Sequence, residues 1–288
     1  MDKNEVIDWL LEDNNPAVKY RTLTEILGEQ AEKEPVISWL YNFLPTDFAK
    51  CKGLWLVYYL TACAESGLSC DDIPEVKEIL SAYLDNNNFE YGCEDYMNLR
   101  AFVRLELAYG PKIVEIINRL SEKQLQDGGF LCQQRLDKLN RMPKSCVKSN
   151  MNALMFCAEC KKKGISVNIE EQLLDYFLKH NLFYRTDDPN TLILNVREGW
   201  RTIDTFYPFE VMRVGLQNIV EALCALGYGN HNCMQKAWDI LNSKKGSDGK
   251  YILDGTLSKS YLPKEHIGKP SKWVTFYTLL AEKERDNL

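Results

Sequence analysis

Apolar residues recur along the chain at spacings of three and four, the pattern of amphipathic helices, and these runs come in pairs. Residues 2–13 and 16–28 predict a first hairpin, with Asn15 as cap and Pro16 in the first turn of the second helix. Trp9, Leu10 and Leu11 mark the apolar face of one helix, and Val18, Tyr20, Leu23, Ile26 and Leu27 that of the other. Further pairs follow at 35–44 with 53–66, 74–86 with 94–109, 111–123 with 146–163, 169–180 with 209–227, and 232–243 with 270–284. The expected fold is all-α, one domain over residues 1–288, built from about six helical hairpins.

The two members of a pair differ. Most second helices stop at a glycine (Gly67, Gly110, Gly164, Gly229), which suits a left-handed cap, and they have little polar face, as in 54–60 and 151–156. A helix apolar nearly all round is buried, so the second helices are expected to form an inner wall and the first helices an outer one. The stretch 182–209 fits neither pattern. It is an irregular insertion holding Phe183, Tyr184, Arg185, Arg197, Trp200, Arg201, Asp204, Phe206, Tyr207 and Pro208, and it suits either a lid over a pocket mouth or a packed structural loop.

Two turns repeat one another. Leu120 is followed by Gln124, Asp127, Gly128 and Phe130, and Leu241 by Lys245, Asp248, Gly249 and Tyr251, at matching spacing. Asp before Gly accepts backbone hydrogen bonds, Gly takes positive φ without a Cβ clash, and the aromatic anchors the loop. A repeated unit of helix, Asp-Gly turn and helix is the signature of a repeat architecture.

Composition narrows the function. With 288 residues and 45% hydrophobic content, the chain can bury roughly three quarters of its unfolded surface. A formal charge of −6 argues against a phosphate-backbone binder, so no nucleic-acid partner is expected. The start Met1-Asp-Lys-Asn-Glu lacks a secretory pattern, and no apolar run reaches membrane-spanning length, so the expectation is a cytoplasmic protein with ten reduced cysteines.

Gln124-x-x-Asp127-Gly128-Gly129-Phe130 resembles the QW-type motif of the terpenoid cyclase and protein prenyltransferase superfamily. The stretch from Trp9 to Arg21, Phe177-Leu-Lys-His180, and Gly268-Lys-Pro270-Ser-Lys272-Trp273-Val-Thr275 look like the small prenyltransferase-like bacterial members of that superfamily. The resemblance implies an α/α toroid of inner and outer helix rings around a central cavity, and an isoprenoid or other apolar small-molecule ligand. Prenyl transfer from a diphosphate is the activity it implies. Arg141 and Lys144, just before Cys146, stand where such enzymes hold the diphosphate, while the zinc-ligand Asp expected two residues before the cysteine is replaced by Lys144. The acid motif Asp-x-Asp-Asp of squalene-hopene-type cyclases is absent, and Asp71-Asp72-x-x-Glu75, superficially a Mg²⁺-diphosphate string, has the spacing of a helix cap.

Other candidate chemistry follows from placement at the starts of inner helices. Cys93, Cys132 and Cys146, with His266, offer three thiolates and an imidazole, a set that suits zinc, although each cysteine also suits core packing. Cys157 and Cys160 lie deep in an apolar helix and read as core. Trp55, Tyr59, Tyr96, Phe102, Phe156, Trp273 and Tyr277 either line a cavity or fill the core. A non-catalytic binding or scaffold toroid, and a carbohydrate-active enzyme using carboxylates among Glu94, Asp95, Asp204 and Glu210, are the alternative functions.

Overall fold

The computed structural model describes residues 3–86, 89, 92–108, 110–132 and 145–286. Among them are twelve α-helices, and the only β contacts are isolated bridges. In chain order they are α1 (Lys3–Leu10), α2 (Pro16–Arg21), α3 (Glu34–Phe43), α4 (Leu54–Glu65), α5 (Pro74–Asn86), α6 (Cys93–Arg104), α7 (Gly110–Lys123), α8 (Val147–Lys162), α9 (Glu170–Lys179), α10 (Leu216–Ala225), α11 (Gln235–Asn242) and α12 (Lys272–Asp286). Asn15 caps α2 as expected, its side chain accepting from Val18 N–H. The helix then runs into a π-helical stretch, Thr22–Leu27, stopped by Gly28 at φ +73°.

Two predicted helices are shorter than their patterns. The run at 209–227 becomes helical only at Leu216, because Glu210 and Arg213 exchange backbone hydrogen bonds of 2.9 Å in a tight turn ahead of Gly215. The run at 94–109 ends at Arg104, where Glu106 takes φ +62°. Asp72 does cap, but for the turn Cys70–Asp72: its carboxylate accepts from the Ser69 N–H and hydroxyl, and Lys33 pairs with it at 2.7 Å.

Helices α4, α6, α8, α10 and α12 are buried on nearly every face, whereas α5, α7, α9 and α11 bury a single stripe. The buried helices pack in sequence: α4 on α6, α6 on α8, α8 on α10, α10 on α12, and α12 on α2 and the π-helical stretch. No helix among the described residues is long and apolar enough to cross a membrane.

The two Asp-Gly turns are wired alike. Phe130 donates its N–H to Asn150 at 2.8 Å and accepts from Cys146 N–H at 2.7 Å; Tyr251 donates to Thr275 at 3.0 Å and accepts from Ser271 N–H at 2.9 Å. Asn150 and Thr275 are each the fourth residue of the following buried helix. The turn therefore fixes where that helix begins. Gln124 ties the first turn to its neighbours by donating to the carbonyls of Gly128 and Ile169, and Asp127 accepts from Gly129 and Ser145 N–H. In the second, Asp248 accepts from Lys250 N–H, and Gly249 takes φ +73°.

Gly128, at φ +86°, sits against the next hairpin so closely that a Cβ would lie 2.1 Å from the Gln172 carbonyl oxygen, whereas Gly164, at φ +70°, faces open space. Gly128→Ala is expected to cost about 2–4 kcal/mol, from clash plus backbone strain. Gly164→Ala carries the strain alone, about 1–2 kcal/mol. Urea unfolding of both variants measures the difference.

Candidate functional site

The meeting point of the buried helices holds ions. Arg21 of α2 grips Glu25 of the π-helical stretch through two hydrogen bonds, 2.7 and 3.0 Å, and reaches Glu65 at the end of α4 at 3.1 Å. Arg100 of α6 bonds the other Glu65 oxygen at 3.3–3.4 Å. Arg104, one turn later, bridges Glu25 at 2.6 Å and Glu159 of α8 at 3.3 Å, and its Nε donates to the Ala64 carbonyl. Tyr277 of α12 donates to Glu65 at 2.6 Å. Three arginines thus face three glutamates, and all but Glu25 are buried. Burial alone would push the Glu25 and Glu159 carboxyls up, yet Arg104 and Arg21 outweigh it at Glu25, and Arg104, Lys162 and Arg100 at Glu159, holding both below the usual carboxylate range.

Of the inner-wall aromatics, Tyr96, Phe102, Phe156, Trp273, Tyr277 and Tyr59 are buried side chains packed on other rings and on this cluster. Tyr96 meets Phe130, Phe102 meets Phe89, Tyr59 meets Phe48, and Trp273 stacks on Tyr207 at 4.6 Å. Arg21 lies over the rings of Phe276 and Tyr277 at 4.5 and 5.1 Å. Trp55 alone of the seven is open to solvent.

The concavity that does join apolar and charged groups lies at the other end of these helices. It is a cleft of about 320 Å³ lined by Leu54, Lys148, Met151, Leu194, Val196, Trp200, Arg201, Thr202, Glu210, Met212, Arg213 and Val214. Leu54 opens α4, Lys148 and Met151 lie in the first turns of α8, and the rest come from the insertion and the turn before α10. The insertion therefore borders a pocket while also packing: Phe206 and Tyr207 are buried, and Arg201 clasps the buried Asp204 at 2.9 Å. Among the described residues, four of the ten exposed large apolar side chains gather here, Leu54, Val196, Trp200 and Met212, at 37–50% exposure. An apolar group of that size left in water marks a contact surface.

The polar groups of the mouth are few. Arg213 lies flat on Trp200, 3.1 Å from the ring centre, and Arg197 covers the same ring at 4.3 Å. Arg213 Nε stands 3.4 Å from Glu210 without hydrogen-bonding to it. Burial raises the Glu210 carboxyl, partly opposed by Arg213 and Lys148, and burial lowers the Arg213 guanidinium. Of the carboxylates considered for sugar chemistry, Asp204 is engaged by Arg201, and Glu94 and Asp95 belong to the first turn of α6.

The thiols converge only in part. Cys93 opens α6 and lies 2.9 Å from the Ser149 hydroxyl, and its thiol hydrogen-bonds Cys146, which caps α8, with Cys132 near enough to be felt electrostatically. The Cys93 hydrogen bond and the backbone N–H groups of Ser149 and Lys148 hold Cys146 well below the ordinary thiol range despite its burial. His266 is an exposed residue ahead of α12. Among the described residues no three His, Cys, Asp or Glu side chains form a group that could hold a metal ion, so the thiols alone do not make up a zinc set. Cys157 and Cys160 are buried in α8, as expected of core residues. Arg141 and Lys144 lie outside the described residues.

Sequence reasoning missed Lys148, Met212 and Arg213, as well as the roles of Glu65, Arg100, Arg104 and Glu159. A signal for the cluster was present: charged residues standing inside otherwise apolar runs, with Arg100 and Arg104 one helical turn apart.

Removing one partner of such a set leaves a buried charge uncompensated, so Arg21→Met should cost about 3–5 kcal/mol in urea unfolding. Because Glu25 and Glu159 have depressed folded-state values, their stabilisation is complete above the ordinary carboxyl value of 4.5 and is lost as pH falls below it. Glu284, pushed up to about 8 by burial and by Glu221, is protonated in both states below 4.5 and adds no slope there. Unfolding free energy measured between pH 4.5 and pH 3 should therefore fall steeply, and less so in Glu25→Gln. At pH 6, iodoacetamide should label Cys146 faster than the similarly half-buried Cys132 and Cys233, as read by peptide mass spectrometry. Compared with known proteins, the chain matches no family model, no curated protein and no solved structure.

Proposed function

We propose that the chain is an α/α toroid that binds a small apolar ligand, of isoprenoid or similar character, in its mouth rather than at its centre. The ring is supported by the order of packing, in which successive buried helices touch and α12 returns to the first hairpin. The observation that carries the binding role is the cleft itself: Leu54, Val196, Trp200 and Met212 exposed around an enclosed volume of about 320 Å³, with Met151 and Val214 as its floor. That volume lies at the small end of ligand pockets, roughly 300–1,000 Å³. The Trp200 ring, 37% exposed and fixed by contacts with Arg197 and Arg213, adds apolar surface against which an unsaturated chain can lie.

Prenyl transfer is the catalytic extension of this function, resting on the turn motif and on Arg141 and Lys144 as diphosphate holders. Binding of geranyl diphosphate with no release of diphosphate in the presence of thiol or amine acceptors would leave a binding protein.

Geraniol added to the full chain should quench tryptophan emission and raise the melting temperature. Trp200→Ala, which removes the largest apolar contact of the mouth, should weaken geraniol binding about tenfold or more by calorimetry. Unchanged affinity in Trp200→Ala and in Met212→Lys would show that the mouth is not where the ligand sits.

A further inference from the structure

The charges around the mouth do not cancel. Along 196–214, together with Lys148, four cations (Lys148, Arg197, Arg201, Arg213) stand with three carboxylates (Glu198, Asp204, Glu210), in a chain whose formal charge is −6. Arg201 is matched to Asp204 at 2.9 Å and Arg213 to Glu210 at 3.4 Å. Lys148 has no carboxylate within ion-pair distance among the described residues. Its ammonium points across the cleft to the Met212 sulfur, 4.0 Å away, a weak acceptor. A lysine on an open surface keeps its head in water. This one is half-buried in a cleft of Leu54, Met151 and Met212, where an unmatched ammonium is costly.

Resting on the mouth as the binding site, we propose that the ligand is a medium-chain amphiphile with a single carboxylate head, that Lys148 takes the head, and that Trp200, Met151 and Met212 take the chain. Of the cations that line the cleft, Lys148 alone among the described residues has no carboxylate within ion-pair distance, and one ammonium matches one negative charge. A phosphate head brings more charge than Lys148 can neutralise and places it beside the Glu210 carboxyl. A cationic head meets Lys148 and Arg213, while Glu210, the carboxylate of the lining, is already engaged by Arg213. A carboxylate accepts charge-assisted hydrogen bonds from the ammonium, and entering the cleft lowers the cost of keeping that ammonium there.

Calorimetric titration of the full chain with decanoate, decanol, decyl phosphate and decyltrimethylammonium, each below its micelle concentration, tests this. Decanoate is expected to bind about tenfold more tightly than decanol, with the advantage shrinking as salt is raised. Lys148→Met should bring decanoate to the level of decanol, with an unchanged circular dichroism spectrum showing that the variant is folded, and Lys148→Arg should keep most of the preference. Equal binding of decanoate and decanol by the unaltered chain, a preference that survives Lys148→Met, or tighter binding of decyl phosphate or decyltrimethylammonium would each overturn the head-group assignment and leave the mouth as the binding site. Failure of all four molecules to bind would overturn the mouth itself.

Discussion

Three arginines and three glutamates at the meeting of α2, α4, α6 and α8 are the constraint on which the rest of the molecule depends. Each carboxylate there answers to at least two guanidinium groups, and α12 closes the set with the Tyr277 hydroxyl. In a low-dielectric interior such a group is stable only when complete, because any member left alone keeps its desolvation penalty without its partners. The helices can therefore pack in one register only, with Arg100 facing Glu65 and Arg104 facing Glu25 and Glu159. The π-helical stretch belongs to the same requirement, since it carries Glu25 to where both Arg21 and Arg104 reach it.

The rings near the cluster are committed to it. Trp273, Tyr277 and Phe276, which sequence alone leaves free to face a ligand, spend their faces on Arg21 and on one another. At the opposite ends of the same helices the chain departs from helical pairing, and the insertion with the Glu210–Arg213 turn builds a concave apolar surface that the cluster does not occupy. Along α4 the division is plain, with Leu54 at the start facing the cleft and Glu65 at the end in the cluster.

What was legible in the sequence was what depends on neighbours along the chain. The starts of α2, α4, α5 and α8 followed from caps, proline and periodicity, and the two Asp-Gly turns proved to share a hydrogen-bond plan down to the fourth residue of the next helix. The ion cluster was not legible, because Arg104 meets Glu25 across 79 residues and Arg21 meets Glu65 across 44, and no local pattern carries a pairing of that span. Lys148 was missed for a related reason. In sequence it is one more polar residue at the start of a helix, and only the arrival of Met212 from a separate turn makes it a half-buried cation. The aromatic wall was ambiguous in kind, since a ring that lines a hollow and a ring that packs on a guanidinium have the same spacing.

The buried helices share a direction: Leu54 and Lys148 mark the starts of α4 and α8 at the mouth, and Glu65, Arg104 and Glu159 mark the far ends of α4, α6 and α8 at the cluster. Peptide dipoles aligned in this way add, leaving partial positive charge where a helix begins and partial negative charge where it ends. The backbone itself thus polarises the layer of buried helices, steadying guanidinium groups at one pole and giving an acidic protein a cleft of the opposite sign at the other.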